Sequence, residues 1–342
     1  MTARNTDSIE RRIGDKNHNR YLFEGVDPHK PTKIAPSTFF QPIPDELIRS
    51  LEDKYMEIER SLSNAIGPPA YSDSGFILYC GDCCELIPQL ESSGFVVDLT
   101  VTSPPYNIGK DYEKTMTVNK YVNWCSEWMD HIFKITQPRG AFWLNVGYLE
   151  VKGKGLCIPI PYLLWDKSPF YLLQEIVWKY GAGVTAKRRL SPRNEKWLFY
   201  VKDQKQYTFN LDNIRDPNVK YPNQKKNGQY RCNPLGKNPS DIWEFPKITT
   251  GAKRSSKERT GHPAQFPLRV VERIVKASSN PLEVVLDPFA GSCSAGIAAV
   301  GLGRIFLGIE IMPDYCDMAV ERYEAFKKER DDLQRQGRLF EF

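Results

Sequence analysis

Residues 282–296 read Leu-Glu-Val-Val-Leu-Asp-Pro-Phe-Ala-Gly-Ser-Cys-Ser-Ala-Gly. The apolar run that ends at Asp287 predicts a buried strand, the glycine and serine residues after it predict a tight turn, and the following small residues predict a helix that continues through Val300. Open α/β sheets bind their ligands where such a strand ends. The stretch therefore indicates an α/β fold with a binding loop at Asp287, although a purely structural strand, turn and helix remains the alternative for this segment alone.

The next apolar run, Arg304–Ile309, predicts another strand, and it ends in Glu310. An acidic side chain 23 positions after Asp287 can accept hydrogen bonds from ribose hydroxyls, and small residues in the turn let the backbone approach a ligand. The glycine spacing is not that of a dinucleotide fingerprint. A mononucleoside-type ligand is therefore favoured over a dinucleotide.

A third predicted strand, Phe95–Val101, leads into Thr102-Ser103-Pro104-Pro105-Tyr106-Asn107. The two prolines fix φ and supply no N–H, so the carbonyls of Ser103 and Pro104 can point into a pocket. Hydroxyl and carbonyl oxygens would accept the two hydrogens of an exocyclic NH2 group, and Tyr106 would stack on the ring that bears it. In isolation, the same residues are also typical of a plain proline turn.

A fourth strand is predicted at Phe76–Tyr79, followed by Gly81-Asp82 and a short helix, Cys83–Leu90. Asp82 therefore lies at a strand end, as Ser103 does. An aspartate in this position is also a common helix N-cap, so both interpretations stay open.

The remaining pattern predicts alternating helices and strands. An amphipathic helix is expected from Pro44 to about Ile66, packed on the main domain or on a partner. The other predicted elements are a helix containing Tyr121, Trp124, Trp128, Ile132 and Ile135 that ends at Gln137–Gly140, strands at Ala141–Val146, Leu172–Trp178 and Trp197–Val201, a helix within 151–170, and a helix from about Pro267 to Ala277.

Composition excludes several classes of protein. The 342 residues are 41% hydrophobic and 26% charged, which is typical of a globular chain, and no apolar run approaches the length of a membrane span. The first residues lack the apolar core of a signal peptide, so a cytoplasmic protein is expected. Eight cysteines and four histidines are scattered, and the Cys80-x-x-Cys83 pair lacks a second pair, so no disulfide scaffold and no metal are expected.

The segment Lys202–Arg259 has no clear period and carries 13 Lys and Arg against 6 Asp and Glu. Its interleaved aromatic residues and its positive charge favour a nucleic-acid surface over a solvated insertion. A second basic run lies at Lys187–Arg193. The candidate DNA contacts in the two segments are Lys187, Arg188, Arg189, Arg193, Lys225, Lys226, Lys253, Arg254 and Lys257.

In one order along the chain, these motifs resemble the amino-group DNA methyltransferases that use S-adenosylmethionine, in the permuted arrangement called the β class. The resemblance runs from about Phe76 to Tyr323. The matching segments are Gly81-Asp82, the catalytic tetrapeptide Ser103–Tyr106, the strand Arg193–Tyr200, the segment His262–Pro267 and the methionine-binding loop Asp287–Ser292.

The resemblance implies a Rossmann-like α/β fold with a mostly parallel seven-stranded sheet and one antiparallel strand. It also implies five regions: an N-terminal arm and helix (1–75), a catalytic half (76–201), a target-recognition region (202–261), a cofactor half (262–330) and a tail (331–342). The implied catalytic residues are Ser103, Pro104, Pro105 and Tyr106. The implied cofactor contacts are Asp82 on adenine, Glu310 on ribose, and His262, Asp287, Pro288, Phe289, Ala290, Gly291 and Ser292.

Within this family, a serine at the first tetrapeptide position is mostly associated with cytosine N4 and an aspartate with adenine N6. Ser103 therefore favours cytosine, with adenine as the alternative. Double-stranded DNA is the expected substrate, a cognate restriction endonuclease is an expected partner, and a homodimer remains open. Two other classes of protein are alternatives: a non-catalytic nucleic-acid-binding protein on the same fold, and a dehydrogenase, which the missing dinucleotide fingerprint disfavours.

Overall fold

The computed structural model of the chain describes residues 43–110, 113, 115–181, 183, 185–248 and 258–335. The α-helices in these ranges are α1 (Asp45–Ile66), α2 (Cys83–Ser93), α3 (Val118–Ile135), α4 (Pro161–Leu164), α5 (Leu268–Ser278), α6 (Ser294–Gly301) and α7 (Pro313–Arg335), and a 3-10 helix spans Leu211–Ile214. The strands are β1 (Tyr71–Asp73), β2 (Phe76–Cys80), β3 (Val97–Thr102), β4 (Thr136–Val146), β5 (Tyr148–Val151), β6 (Gly155–Pro159), β7 (Tyr171–Lys179), β8 (Asn194–Val201), β9 (Lys225–Lys226), β10 (Gln229–Tyr230), β11 (Ile242–Glu244), β12 (Val284–Asp287) and β13 (Ile305–Glu310).

The main sheet has the strand order β1-β2-β13-β12-β3-β4-β8-β7-β11. From β2 to β7 it is parallel except for β8, which runs antiparallel to both of its neighbours. These seven strands confirm the predicted mostly parallel sheet with one antiparallel strand. Two strands of three residues, β1 and β11, extend the sheet at its edges; they are too short to show a period in the sequence.

Apolar residues cover both faces of the sheet, as expected for parallel strands that are buried on both sides. On one face Ile77 and Phe142 pack with α1, α2, α3 and α4. On the other face Phe76 and Trp143 pack with α5, α6 and α7. The alternation of neighbouring residues between the two cores is the period of two expected of a strand.

Strand direction determines where the functional motifs meet. The carboxyl ends of β2, β3, β4, β12 and β13 share one edge, and antiparallel β8 brings its first residues to that edge as well, since Asn194 pairs with Lys179 and Lys196 pairs with Val146. The loops that follow Cys80, Thr102 and Asp287 therefore emerge side by side. This edge is called the carboxyl edge below.

Several local predictions differ from the structure. Residues 137–140, predicted to end the helix and to precede the strand, already belong to β4, and α3 ends at Ile135. The register of β3 against β4 shifts in this region, so Pro138 lies at an irregularity, where a strand tolerates a residue without an N–H. Within 151–170 the predicted helix has only four residues, and a hairpin of β5 and β6 precedes it. The long helix α7 was not predicted.

Helix α1 packs on the main domain, which answers one alternative left open by the sequence. Leu62 is fully buried, and Leu51 and Ile58 lie in the same apolar core as α2 and α3. Met56 on the same helix is 51% exposed. In the part of the chain that the structure describes, no helix is both long enough and apolar enough to cross a lipid bilayer.

We expect Leu62→Ala to lower the free energy of unfolding by about 2–5 kcal/mol, because it leaves a cavity between α1 and the sheet. The matched variant Met56→Ala should change it by less than about 0.5 kcal/mol. Urea unfolding followed by circular dichroism measures both. Equal effects of the two variants would contradict the packing of α1 on this domain.

Candidate active site

The tetrapeptide follows β3 and is held by hydrogen bonds to residues of β4 and α3. Ser103 Oγ donates to the Tyr106 hydroxyl at 3.1 Å, which donates to Oδ1 of Asn145 at 2.7 Å. Asn145 is fully buried near the end of β4 and donates to the backbone oxygen of Lys196 at 3.1 Å. On the other side Tyr121 of α3 donates to the Pro105 carbonyl at 2.9 Å. The predicted residues Ser103–Tyr106 thus form a fixed loop.

Gly147 makes room for the Tyr106 ring. A Cβ at position 147 would lie 3.0 Å from Cε2 of Tyr106 and 3.7 Å from Cγ of Glu195. A side chain at position 147 would crowd the Tyr106 ring. Glycine at this position therefore allows the ring to lie where it does.

Glu195, at the start of β8, lies beside Tyr106. Its Oε2 is 3.5 Å from the Tyr106 hydroxyl, while its Oε1 accepts from Tyr180 at 3.3 Å and from the Lys247 ammonium at 2.5 Å. The Lys247 ammonium also lies 4.0 Å from the centre of the Tyr180 ring. Burial and the negative charge of Glu195 raise the pKa of Tyr180, so that its phenol stays a neutral donor.

The loop after β12 begins at Asp287, which is almost completely buried. Its Oδ1 accepts from the Thr102 hydroxyl at 2.6 Å and from the backbone N–H of Phe289 at 3.1 Å. Burial raises the pKa of Asp287 to about 7, against the effect of these two hydrogen bonds. The carboxyl group therefore shapes the loop, and direct contact with a ligand stays a prediction.

Gly291 and His262 meet in this loop. Gly291 has φ of 49°, and a Cβ there would come within 2.9 Å of Nε2 of His262, so only glycine fits without displacement. The His262 ring packs edge-on against Tyr315 with ring centres 4.5 Å apart. Burial lowers the pKa of His262, which favours the neutral imidazole. The structure thus places predicted residue His262 against the predicted cofactor loop.

Glu310 is the last residue of β13, and its carboxylate binds the loop that follows β12. Its Oε2 accepts from the Gly291 N–H at 2.8 Å and its Oε1 accepts from the Met312 N–H at 2.9 Å. Burial raises the pKa of Glu310, while its hydrogen bonds to backbone N–H groups act in the opposite direction. An ionised carboxylate has about four acceptor positions, and the backbone N–H groups of Gly291, Ile311 and Met312 occupy three of them, so about one remains for a ribose hydroxyl.

The other loop residues are fixed by neighbouring elements. Pro288 is buried, and Phe289 packs edge-on against Trp124 and Trp128 of α3, at 5.7 and 5.2 Å between ring centres. Ala290 donates its N–H to the backbone oxygen of Ile309 at 2.9 Å.

Ser292 is bound by Arg322 of α7, which donates to its backbone oxygen at 2.7 Å and to its hydroxyl at 3.2 Å. The guanidinium also donates to Ser294 Oγ at 2.9 Å. Burial lowers the pKa of Arg322 to about 10, which leaves it charged at neutral pH. This residue was not predicted, because an arginine on a helix with mostly charged residues gives no signal in the sequence.

Asp82 lies close to Glu310, since the neighbouring Gly81 N–H donates to the Glu310 backbone oxygen at 2.9 Å. Asp82 also caps α2 by accepting from the Cys84 N–H at 2.8 Å; its helix-capping role is therefore real, and its contact with adenine stays a prediction. Among the described residues, ligand atoms of Asp82, Cys83 and Cys84 lie within 4.8 Å of one another. The cap hydrogen bond accounts for Asp82 in this group, and the expected absence of a metal also stays a prediction.

The candidate DNA contacts are only partly described. Lys187, Arg188 and Arg189 are exposed in the loop between β7 and β8, at the carboxyl edge. Arg193 is half-buried, and its guanidinium donates to the Pro192 backbone oxygen at 3.0 Å. Lys225 and Lys226 are exposed on β9, with the Lys225 ammonium 4.5 Å from the centre of the Tyr230 ring. Lys253, Arg254 and Lys257 lie outside the described residues.

The site therefore has two parts. The first is the loop after β12, rich in small residues, with the Glu310 carboxylate beside it, and the second is the tetrapeptide loop Ser103–Tyr106 with its hydroxyl and carbonyl acceptors. The first part fits a nucleoside, because the Glu310 carboxylate lies at a strand end and retains acceptor capacity. The second part fits a planar amine. Sequence reasoning missed Asn145, Glu195, Lys247 and Arg322; the polar Asn145 within an otherwise apolar strand was a usable signal.

Comparisons with known proteins agree with this arrangement. A family model described as a DNA methylase matches residues 97–321. The Type II methyltransferase M.ScaI of Streptomyces caespitosus is 55% identical over 277 residues, covering 81% of this chain and 89% of the relative. The DNA adenine methyltransferase YhdJ of Escherichia coli (strain K12) is 30% identical over 272 residues, covering 75% of this chain and 86% of the relative.

Two solved structures share the fold. The PvuII DNA methyltransferase (cytosine-N4-specific) superimposes with a TM-score of 0.58 at 19% identity, covering 77% of this chain and 94% of that one. A DNA modification methylase of Thermus thermophilus, solved in complex with S-adenosylmethionine, gives a TM-score of 0.50 at 23% identity, covering 73% and 93%. With the family match over residues 97–321, the conclusion is that the chain belongs to the DNA methylase family and is a methyltransferase that uses S-adenosylmethionine.

Proposed function

We propose that this chain is a site-specific methyltransferase of a restriction-modification system that methylates the exocyclic N4 of a cytosine flipped out of double-stranded DNA. The observation that carries the proposal is Ser103, whose Oγ lies at the carboxyl edge with its proton directed to Tyr106. That hydrogen bond leaves oxygen lone pairs to accept from an amine in the pocket. A cognate endonuclease with the same target is the proposed partner.

The choice of cytosine rests on Ser103. The family resemblance associates serine at this position with cytosine N4, and the PvuII enzyme that shares the fold is named cytosine-N4-specific, although at 19% identity the likeness supports the fold alone. Adenine N6 is the second candidate, because a relative 30% identical to the chain is named a DNA adenine methyltransferase. The restriction-modification context is supported by the relative named Type II methyltransferase M.ScaI.

The proposed catalysis depends on positioning. The cytosine N4 lone pair is delocalised into the ring, which makes N4 a poor nucleophile. Ser103 Oγ and the Pro104 carbonyl accept hydrogen bonds from the two N–H groups of N4. The N4 lone pair is thereby directed toward the methyl group, opposite the carbon–sulfur bond that breaks. Tyr106 stacks on the ring. Base flipping is required because the amine is otherwise enclosed in the duplex.

S-adenosylmethionine supplies a methyl group on a positively charged sulfur. Its methionine end would be held by Asp287, Phe289, Gly291 and Ser292, its ribose by Glu310 and its adenine by Asp82. The further cofactor contacts would be Pro288, Ala290 and His262. Two contacts support these assignments: Glu310 holds the loop through the Gly291 N–H, and Arg322 fixes Ser292.

DNA would bind at the carboxyl edge and be read by residues 202–261. The exposed loop Lys187–Arg189 enters β8 directly beside Glu195, so its charge would meet phosphates close to the flipped base. The division of the chain into arm, catalytic half, recognition region, cofactor half and tail, with boundaries at 75, 201, 261 and 330, is part of this proposal, as are the nine basic residues named as DNA contacts.

Incubation of the protein with S-adenosylmethionine and unmodified duplex DNA should give N4-methylcytosine. Digestion to nucleosides and mass spectrometry identify the product. N6-methyladenine would retain the methyltransferase and overturn the base assignment. Absence of any methylated nucleoside on DNA of diverse sequence, with cofactor binding retained in calorimetry, would support the non-catalytic alternative.

Ser103→Ala should reduce turnover on the order of 100-fold with little change in cofactor affinity, because it removes one acceptor of the reacting amine. Glu310→Ala should weaken cofactor binding by about 10-fold to 100-fold, the effect of losing hydrogen bonds to a charged group. Single-turnover kinetics and calorimetry separate the two quantities.

The exposed acid Asp314, four positions after Glu310, provides the matched control: Asp314→Ala should leave both quantities unchanged. The reverse pattern, with Ser103→Ala impairing cofactor binding and Glu310→Ala impairing only turnover, would overturn both assignments.

A further inference from the structure

We propose that Glu195 is the final acceptor of the proton that the target amine loses, and that Ser103 and Tyr106 pass this proton to it. Glu195 touches neither base nor cofactor and acts through Tyr106. The inference rests on the proposed function, since it requires an exocyclic amine that is methylated.

Methylation of an amine has to be followed by loss of a proton. The N4 electron pair forms the new N–C bond, and the C–S bond breaks with its electron pair remaining on sulfur. N4 then carries a positive charge, a methyl group and two hydrogens, and release of one proton gives the neutral methylated base. A side chain in the pocket can receive this proton and lead it away from the reacting amine.

Two hydroxyl groups, those of Ser103 and Tyr106, connect the position of the amine to Glu195. Ser103 Oγ donates to the Tyr106 hydroxyl at 3.1 Å, and that hydroxyl lies 2.7 Å from Asn145 Oδ1 and 3.5 Å from Glu195 Oε2. In the proposed transfer Ser103 Oγ receives a proton from N4 and passes its own to Tyr106, which passes its own to Glu195. Both hydroxyls end neutral, and only the carboxylate gains a proton.

Glu195 is the base among these partners of Tyr106. The Asn145 amide oxygen accepts a hydrogen bond but is not a base near neutral pH; it holds the phenol in place by the 2.7 Å contact. The Glu195 carboxylate can be protonated. Its side chain is 15% exposed, which gives the proton a route to solvent after each turnover.

The groups around Glu195 orient its two oxygens differently. Tyr180, after β7, and Lys247, after β11, both donate to Oε1, which leaves Oε2 toward Tyr106. Among the described residues, Tyr106, Tyr180 and Lys247 are the titratable groups in direct contact with the carboxylate. The raised pKa of Tyr180 keeps its phenol protonated, so Tyr180 does not compete with Glu195 for the proton.

The test compares Glu195→Gln with Glu175→Gln, a control that removes a part-exposed carboxylate from the neighbouring strand β7. Single-turnover methylation is measured across pH with saturating cofactor, on a duplex that the wild-type protein methylates. We expect Glu195→Gln to slow methylation on the order of 100-fold, with cofactor and DNA affinities within about threefold of wild type. Glu175→Gln should behave as the wild type.

The pH profile separates a proton acceptor from a structural residue. In the wild type the rate should fall as pH decreases, and in Glu195→Gln this decline should disappear. Glu195→Asp keeps a carboxylate and should keep the decline at a reduced rate. It also tests the inference if the glutamine variant fails to fold.

A second measurement does not depend on turnover. In the protein–DNA complex without cofactor, carbon-13 NMR of labelled glutamate carboxyls should show one resonance, absent from Glu195→Gln, that titrates with the same midpoint as the low-pH decline of the rate. A different midpoint would overturn the inference.

A rate for Glu195→Gln within about threefold of wild type, or a slower rate with an unchanged pH profile, would overturn it as well. Failure of the proposed function is distinguishable, because the wild type itself would then form no methylated nucleoside. Formation of N6-methyladenine would leave the inference intact, since adenine N6 loses a proton in the same way.

Discussion

The buried hydrogen bond from the Thr102 hydroxyl to Asp287, 2.6 Å long, joins the two halves of the site. Thr102 is the last residue of β3, directly before the acceptor loop, and Asp287 is the last residue of β12, directly before the cofactor loop. Parallel pairing of β3 and β12 aligns the strands, and the hydrogen bond aligns the ends from which the loops leave. The distance between methyl donor and acceptor would depend on this contact, because each loop is fixed relative to its own strand.

The sequence was most informative where a motif is local. Apolar runs ending in Ser103, Asp287 and Glu310 each predicted a strand and the loop after it, because burial on both faces leaves a continuous apolar signature. Five segments in a fixed order then resembled one family, which implied a permuted, mostly parallel sheet. The structure confirms that sheet, and it brings His262 against Gly291, although 29 positions separate them in the chain.

The sequence was least informative where a role depends on pairing between distant segments. Glu195 lies in a segment identified as a strand, yet its place beside Tyr106 depends on the antiparallel direction of β8, which no local pattern encodes. Lys247 reaches the same carboxylate only because three residues of β11 add to the sheet edge. The hairpin of β5 and β6 is likewise too short to show a period, and α7 has a weakly patterned, highly charged sequence.

The antiparallel strand β8 has a consequence for how the sequence of such a protein can evolve. Strand β8 is hydrogen-bonded along both sides, to β4 and to β7. Its register therefore does not depend on the length of the loop before Asn194 or of the region after Val201. Segments that meet different DNA sequences could therefore be exchanged at these two junctions while the reacting groups keep their spacing. The scaffold separates the part that diversifies from the part that has to stay constant.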